Sequence, residues 1–142
     1  MKVRDVMTKQ VIRMGLDEPA EVAARTLAHY NIGVLPVCGL DGRVCCVVRD
    51  RDLVTRCMAL GRDAGTVKVA DVMTGRVISA GPDMDVSVAA HLMGREQVRR
   101  LPVVENGKLC GIIGLGDLAA TEDGSLDAAD ALTDITKNIC KK

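Results

Sequence analysis

Cysteines, recurring aspartates and one pair of adjacent arginines are the side chains in this sequence whose types could do chemistry. The six cysteines are Cys38, Cys45, Cys46, Cys57, Cys110 and Cys140. No Cys-x-x-Cys pair occurs, and most of these residues stand within apolar runs, where a free thiol behaves as a small hydrophobic side chain. Cys45 and Cys46 are neighbours in a predicted strand and should point to opposite faces. We therefore expect reduced, structural thiols and no metal site.

The aspartates recur in two matched sets, which are Asp5, Asp17 and Asp52 in the first half and Asp71, Asp83 and Asp117 in the second. An aspartate in the first turn of a helix stabilises that helix without any ligand, so capping is their simplest interpretation. The sequence contains no Gly-rich phosphate loop, no Gly-x-Ser-x-Gly elbow and no Cys and His pair at catalytic spacing. It therefore predicts no catalytic residue and no enzyme.

A repeat defines the elements that must position these side chains. At an offset of 66 positions, 15 of the 35 residue pairs from Val3 to Val37 are identical. The motifs Asp-Val-Met-Thr and Leu-Pro-Val both recur. The offset falls to 65 after a loop that is one residue longer in the first half, so Asp52 matches Asp117. Such a pattern indicates a duplicated unit with one length change in a turn.

Each half predicts the order strand, helix, strand, strand, helix. The first half places these elements at 11–12, 17–30, 34–37, 44–48 and 50–60, and the second half repeats them, with its hairpin strand at 109–113 and its last helix at 115–120. Asp-Gly and Asn-Gly dipeptides mark the hairpin turns. The Leu-Pro-Val proline cannot donate to a ladder, so it belongs at an edge, a bulge or a ligand-lined opening. The fold class is α/β (α+β).

We expect repeat 1 at 1–60, a linker at 61–68, repeat 2 at 69–120 and an amphipathic helix at 125–140. Ser125 is the expected N-cap of that last helix, and Lys141 and Lys142 suit its C-terminal dipole. Its predicted apolar stripe consists of Leu126, Ala129, Leu132, Ile135 and Ile139. The stripe packs either on its own domain or on a partner subunit.

Composition limits the classes of protein. A chain of 142 residues suffices for one compact domain or two small intertwined units. Its formal net charge is zero and its only aromatic residue is Tyr30, so binding to nucleic acid is not expected. The N-terminus is charged and no apolar run is long enough to span a membrane. We expect a cytoplasmic protein without a membrane segment.

The repeated Asp-Val-Met-Thr and Leu-Pro-Val motifs, with an apolar strand running into Arg-Asp-Arg-Asp-Leu, resemble the CBS domain, named after cystathionine β-synthase. Two tandem β-α-β-β-α copies form a pseudo-two-fold Bateman module. The resemblance covers about residues 3 to 120. It implies a regulatory module that binds AMP, ADP, ATP, S-adenosylmethionine or an NAD-like molecule in clefts between the repeats. No cofactor is required, and an effector protein, here a separate one, would respond.

The resemblance also implies particular binding residues. Asp52 and Asp117 match the aspartate that accepts hydrogen bonds from the ribose diol, a task that suits a carboxylate because it offers only acceptors. The adenine slot would consist of Val11, Ile12, Leu35, Pro36 and Val37 in one copy and Val77, Ile78, Leu101, Pro102 and Val103 in the other.

Three further positions are specific to this chain. The family usually has Ser or Thr three residues before the aspartate, whereas Arg49 and Gly114 stand there. Arg49 would either strengthen phosphate binding or block the cleft, while Gly114 removes the hydroxyl. Arg99 and Arg100 replace Gly33 and Val34 of the first copy. They resemble the phosphate-binding residues of the gamma subunit of AMP-activated kinase, or they are a solvated pair that balances Glu96.

The assembly expected from this resemblance is a homodimer, because the helices that flank a two-repeat module leave an apolar face. Two other functions stay open. One is a ligand-free dimerisation scaffold with degenerate clefts, and the other is a hydrolase of the bound nucleotide. His29 and His91 lack ligand or nucleophile neighbours in the sequence and are expected at the surface.

Overall fold

The computed structural model describes residues 1–121 and 124–140. It divides into two compact units. Unit 1 combines Met1–Val11 with the chain from Ile78 onward, and unit 2 is Ile12–Val77. The units therefore do not follow the sequence repeats, because the first eleven residues fold with the second half and the second Asp-Val-Met-Thr motif folds with the first half.

The elements are numbered in chain order. They are α1 (Val3–Val6), β1 (Met14–Gly15), α2 (Ala20–Tyr30), β2 (Val34–Cys38), β3 (Val44–Arg49), α3 (Asp50–Leu53), a π-helical turn (Val54–Met58), α4 (Val69–Val72), α5 (Val86–Glu96), β4 (Arg100–Glu105), β5 (Lys108–Gly114), α6 (Leu115–Ala119) and α7 (Ser125–Cys140). The expected α/β class is confirmed.

Unit 2 is built around a three-stranded sheet in the order β1-β2-β3, in which β1 is parallel and β3 antiparallel to β2. Its core joins apolar residues from every element, including Leu27, Leu35, Val48 and Val72. Unit 1 contains the antiparallel pair β4-β5, with a separate core around Met93, Leu101, Ile113 and Leu118. Each hairpin is followed directly by a short helix. Helix α3 begins after β3, and α6 begins after β5.

Three local expectations differ from the structure. Val11 and Ile12 are not in a strand, since the pairing with β2 is made by Met14 and Gly15. Met14 is buried and Ile12 is exposed, so burial selects the later residues. The helix expected at 50–60 is one α-helical turn followed by the π-helical turn. The Val-x-Asp-Val-Met segment at the start of each repeat, where the sequence predicts a short turn, forms the single helical turns α1 and α4.

A β-bulge interrupts both hairpins at the same place. Val37 pairs with Cys46 while Cys38 pairs with Val44, so Cys45 is the extra residue. Cys110 is the extra residue in unit 1. A bulge disturbs strand alternation locally. Cys45 is exposed and Cys46 is buried, so the two thiols lie in different environments.

Helix α7 packs within unit 1 against α5 and α6. Its buried residues are Ala128, Ala131 and Ile135, whereas Leu126, Ala129 and Leu132 of the expected stripe are exposed. The shift has a steric cause, since a Cβ added at Gly94 of α5 would stand 3.1 Å from the Ala131 Cα. Helices that approach this closely need small residues at the contact.

Several expectations for α7 fall at its ends. Ser125 is the first helical residue rather than the residue before the helix. The side chains of Ile139 and Cys140, and Lys141 and Lys142 as a whole, lie outside the described residues. Of the helices in the part of the chain that the structure describes, none is long and apolar enough to cross a bilayer.

Candidate ligand sites at the hairpin mouths

The unit 2 site is centred on Asp52, in the single turn of α3. Asp52 is 7% exposed and is the one buried charged residue among those described. Its Oδ2 accepts hydrogen bonds from the Arg49 backbone N–H at 2.9 Å and from the Thr74 hydroxyl at 3.0 Å, and its Oδ1 lies 3.1 Å from that hydroxyl. The Arg56 Nε lies 4.0 Å from Oδ1. This carboxylate therefore has partners on both oxygens.

The unit 1 site is centred on the matched residue Asp117, in the first turn of α6. Its Oδ2 accepts a hydrogen bond from the Gly114 backbone N–H at 2.8 Å. This contact is the counterpart of the one between Arg49 and Asp52, so the aspartate caps its helix in both units, as the simplest interpretation of the sequence predicted. Asp117 is half-buried, and a half-buried carboxylate keeps acceptor positions for a ligand.

Each hairpin carries one arginine in the same cross-strand pair beside its aspartate. Unit 2 pairs Val34 with Arg49, and unit 1 pairs Arg100 with Gly114. The arginine thus stands on opposite strands of the pair in the two units. Because directly opposed residues share one face of a hairpin, both aspartates have a cation at the same register position.

The absence of a side chain at Gly114 opens a notch between Asp117 and Arg100. A Cβ added at Gly114 would meet the Asp117 Oδ2 at 3.4 Å and the Arg100 Cγ and Nε at 3.7 and 3.8 Å. The notch is therefore flanked by a carboxylate and a guanidinium group. Such a pair can accept from hydroxyl groups on one side and donate to an anion on the other.

Arg99 and Arg100 have different places in this arrangement. Arg100 is the first residue of β4, whereas Arg99 precedes the strand and its carbonyl accepts from the Leu115 N–H at 2.8 Å. Adjacent residues project to different sides, so Arg100 alone is opposed to Gly114. Within the described ranges, neither side chain makes a hydrogen bond or ion pair that would neutralise it.

The residues of the expected adenine slot are distributed between surface and core. Leu35, Val37, Leu101 and Val103 are fully buried and belong to the cores of their units, and Pro36 and Pro102 are buried too. Val11, Val77 and Ile78 are half-buried and Ile12 is exposed. A bound base could therefore contact only the accessible side chains of this set, which are Val11, Ile12, Val77 and Ile78. The buried side chains instead hold the strands beside the site in place.

Thr74 is the functional candidate that the sequence reasoning missed. Its backbone bridges Val47 of β3, and its side chain reaches Asp52, 22 positions earlier. A signal existed, because Thr8 and Thr74 close the two copies of the Asp-Val-Met-Thr motif. The exchange of these motifs between the units hid which threonine meets which aspartate.

The thiols are reduced and mostly shielded. Cys38, Cys45, Cys46, Cys57 and Cys110 are all free. Burial raises the pKa of Cys38, Cys46 and Cys110, and for Cys38 a hydrogen bond from Arg13 partly opposes that rise. Across residues 1–121 and 124–140, no group of three or more His, Cys, Asp or Glu residues is arranged to hold a metal ion. Both histidines are exposed, as expected.

The family model of the CBS domain matches residues 3–59 and 69–123. The chain belongs to the CBS domain family. The two matches agree with the two copies of the duplicated unit. Paired CBS domains are regulatory modules.

Two curated CBS relatives are similar over most of their length. The CBS domain-containing protein YhcV of Bacillus subtilis is 37% identical over 134 residues, which is 94% of each chain. Hypoxic response protein 1 of Mycobacterium tuberculosis is 31% identical and covers 82% of this chain and 81% of its own.

Two solved CBS structures resemble this fold. One is Hypoxic Response Protein I with two coordinated zinc ions, with a TM-score of 0.76, 30% identity and coverage of 84% of this chain and 97% of its own. The other is the CBS domain pair of protein MJ0100 in complex with 5-methylthioadenosine and S-adenosyl-L-methionine. It has a TM-score of 0.72, 25% identity and coverage of 88% and 98%.

Proposed function

We propose that this chain is a regulatory module that binds an adenosine-containing ligand and reports its presence to a separate effector protein. The observation that carries the proposal is the pairing of Asp117 with Arg100 on either side of Gly114 in unit 1. A carboxylate suits the vicinal hydroxyls of a ribose, and a guanidinium group suits a phosphate. The MJ0100 pair, which binds two adenosine derivatives, supports the same ligand class.

A thermal-shift panel tests this proposal directly. AMP, ATP, S-adenosylmethionine and NAD are each added at millimolar concentration, with 2′-deoxyadenosine monophosphate as the matched control for the diol. At a hundredfold excess over its dissociation constant, a ligand adds about 2.7 kcal/mol of stability, which raises Tm by several degrees. A flat response to all four ligands would refute the proposal.

Arg100 is the residue we propose for the phosphate contact. Arg100→Ala should lose about 1.5–3 kcal/mol of binding free energy for AMP and little for adenosine. Arg99→Ala is the matched control and should keep the parent's preference for AMP. Calorimetric titration at two salt concentrations measures both, because screening weakens a solvent-exposed phosphate contact. Equal behaviour of the two variants would remove Arg100 from the site.

We also propose that the protein is a homodimer formed through the helical face of unit 2. In unit 1, α7 packs against the matched helix α5, in which Ala90 and Gly94 are buried. In unit 2, Ala24 and Ala28 stand at those positions and are exposed, as is Met58. Light scattering at micromolar concentration should give twice the chain mass of 15.1 kDa. Ala28→Arg should return the monomer mass, and a wild-type monomer would contradict the interface.

A ligand-free dimerisation scaffold is the second candidate function. It is favoured by the complete burial of Leu35, Val37, Leu101 and Val103, because these strands then offer no side-chain slot for a base. A dimer that shows no thermal response to the panel would support the scaffold. We propose a cytoplasmic location for either function, which is supported by the free thiols because disulfides are rare in reducing compartments.

A further inference from the structure

Asp52 and Asp117 differ in the hydrogen bonds that their carboxylates already accept. Asp52 receives the Thr74 hydroxyl within hydrogen-bond distance of both carboxylate oxygens, besides the Arg49 backbone N–H. Asp117 receives the equivalent backbone N–H, from Gly114. In the part of the chain that the structure describes, no hydroxyl group bonds to Asp117. Both aspartates therefore accept the backbone hydrogen bond, but the hydrogen bond from a threonine hydroxyl is specific to Asp52.

We propose that Thr74 closes the Asp52 site from within unit 2, so that Asp117 is the carboxylate that receives the ribose diol. The inference rests on the proposed function and specifies which of its two sites is competent. It makes Thr74 a positioning residue that acts on the ligand through Asp52. It also assigns Asp52 a structural role, because its contact with Thr74 holds α3 to the segment that follows α4.

The contact geometry shows why Thr74 competes with a diol. Two vicinal hydroxyls need acceptor positions on a carboxylate, and the Thr74 hydroxyl lies 3.0 and 3.1 Å from the two oxygens of Asp52. With the side chain of Asp52 only 9% exposed and Arg56 at 4.0 Å, a diol must displace Thr74 to reach them. Losing a hydrogen bond to a charged group weakens an equilibrium roughly tenfold to a hundredfold.

The matched threonine of unit 1 does not do the same. The backbone of Thr8 bridges Ile112 of β5 just as that of Thr74 bridges Val47 of β3. Thr8 itself is exposed, and among the described residues its hydroxyl makes no contact with Asp117. Thr121 replaces Arg56, and its hydroxyl donates to the Leu118 carbonyl instead. The difference between the sites therefore lies in side chains, on a backbone that is the same.

The surroundings of Asp117 also specify a ligand class. The Gly114 notch separates the Asp117 carboxylate from the Arg100 guanidinium group, and both flanking groups are charged. A nucleoside with an intact 2′,3′-diol and a 5′-phosphate presents donors to the first and an anion to the second. An adenosine derivative without phosphate satisfies only the carboxylate.

Calorimetric titration with AMP tests the inference on the full chain. The parent should bind one AMP per chain. Asp117→Asn should weaken binding roughly tenfold to a hundredfold, and Asp52→Asn, its matched control, should leave the affinity within a factor of about two. Thr74→Ala, which removes both the hydroxyl group and the space it fills, should add a second AMP per chain, whereas Thr8→Ala, the matched control in unit 1, should leave the stoichiometry at one.

The outcomes separate this inference from the function on which it rests. Two equal AMP sites in the parent, or binding lost in Asp52→Asn and kept in Asp117→Asn, would overturn the inference while the proposed function stood. No response to any adenosine ligand would overturn both. If Thr74→Ala fails to fold, as judged by circular dichroism, the two aspartate variants still decide, since an amide at either position keeps the backbone hydrogen bond.

Discussion

Units 1 and 2 have the same hairpin architecture but differ in whether their helical face is covered and whether their aspartate is accessible. Both have a bulged hairpin with a buried Leu-Pro-Val strand and a capping aspartate after it. Unit 1 covers its helical face and leaves Asp117 accessible. Unit 2 leaves its helical face uncovered, and both carboxylate oxygens of Asp52 already have hydrogen-bond partners within the unit. The comparison teaches that the two copies share the contacts that shape the hairpin and differ in the side chains around the aspartate and on the helical face.

The helical faces show this divergence at matched positions. Gly94 of α5 lies against Ala131 of α7, and Gln97 donates from its amide to the Asp134 carbonyl at 3.2 Å. His91 of α5 lies 3.2 Å from the Asp127 carboxylate. The counterpart of Gly94 in unit 2 is the exposed Ala28. One chain thus carries the same helical face once in a covered form and once in an open form.

The largest expected effect tests whether the two cores are equivalent. Leu35 and Leu101 are matched, and both are fully buried. Leu35→Ala and Leu101→Ala should each lower the free energy of unfolding by about 2–5 kcal/mol, because each leaves a cavity in a closed core. Urea unfolding measures both. A loss below about 1 kcal/mol in either variant would show that its core is not packed as described.

A smaller effect tests the difference between the helical faces. Gly94→Leu inserts a side chain where even a Cβ would stand 3.1 Å from both the Ala131 Cα and an Asp134 oxygen. Overpacking of this kind should cost about 1–3 kcal/mol of unfolding free energy. Ala28→Leu, at the matched exposed position, should change stability by less than about 0.5 kcal/mol at a protein concentration below dimerisation. Equal losses would mean that α7 does not distinguish the units.

The sequence predicted those features that local chemistry determines. The hairpins were predictable because Asp-Gly and Asn-Gly turns separate apolar strands. Helix α2 was predictable because Pro19 and an apolar period mark it. The capping role of Asp52 and Asp117 was also predictable, since each lies three residues after the end of its strand.

Features that depend on distant parts of the chain were not predictable in this way. The bond between Thr74 and Asp52 joins residues whose proximity depends on the exchange of motifs between units. The face of α7 that is buried depends on Gly94 of α5, so the apolar periodicity within α7 predicted the wrong stripe. Strand β1 is two residues long and is selected by pairing with Val37 and Cys38, which no local pattern encodes.

The bulge thiols give a third matched pair. Cys45 and Cys110 donate to the carbonyls of Val37 and Val103 at 3.2 and 3.3 Å. Cys45 is exposed, whereas burial raises the pKa of the half-buried Cys110. Because the thiolate is the nucleophile, iodoacetamide at pH 8 should alkylate Cys45 several-fold faster. Timed alkylation with peptide mass spectrometry reads each thiol separately, and a faster Cys110 would contradict the difference in burial.

The smallest expected effect concerns the first turns of α2 and α5. Pro19 precedes α2 without a side-chain cap, whereas Asp85 precedes α5 and accepts hydrogen bonds from the backbone N–H and hydroxyl of Ser87. These bonds lower the pKa of Asp85 below its ordinary value. A carboxyl group whose pKa is depressed by folding adds stability above its unfolded pKa of about 3.9, and that stability disappears as the pH falls through the folded value.

Replacement of Asp85 should therefore have an effect that depends on pH. Asp85→Ala should lower the urea midpoint at pH 6, and the difference from the parent should be smaller at pH 3, because below about 3.9 the carboxyl group becomes protonated in the unfolded state. The other acidic groups titrate alike in parent and variant, so their contributions cancel in the difference. Pro19→Ala is the matched control at the uncapped helix, and its effect should be the same at both pH values. A difference between Asp85→Ala and the parent that stayed constant from pH 6 to pH 3 would show that the carboxylate charge contributes nothing to the cap.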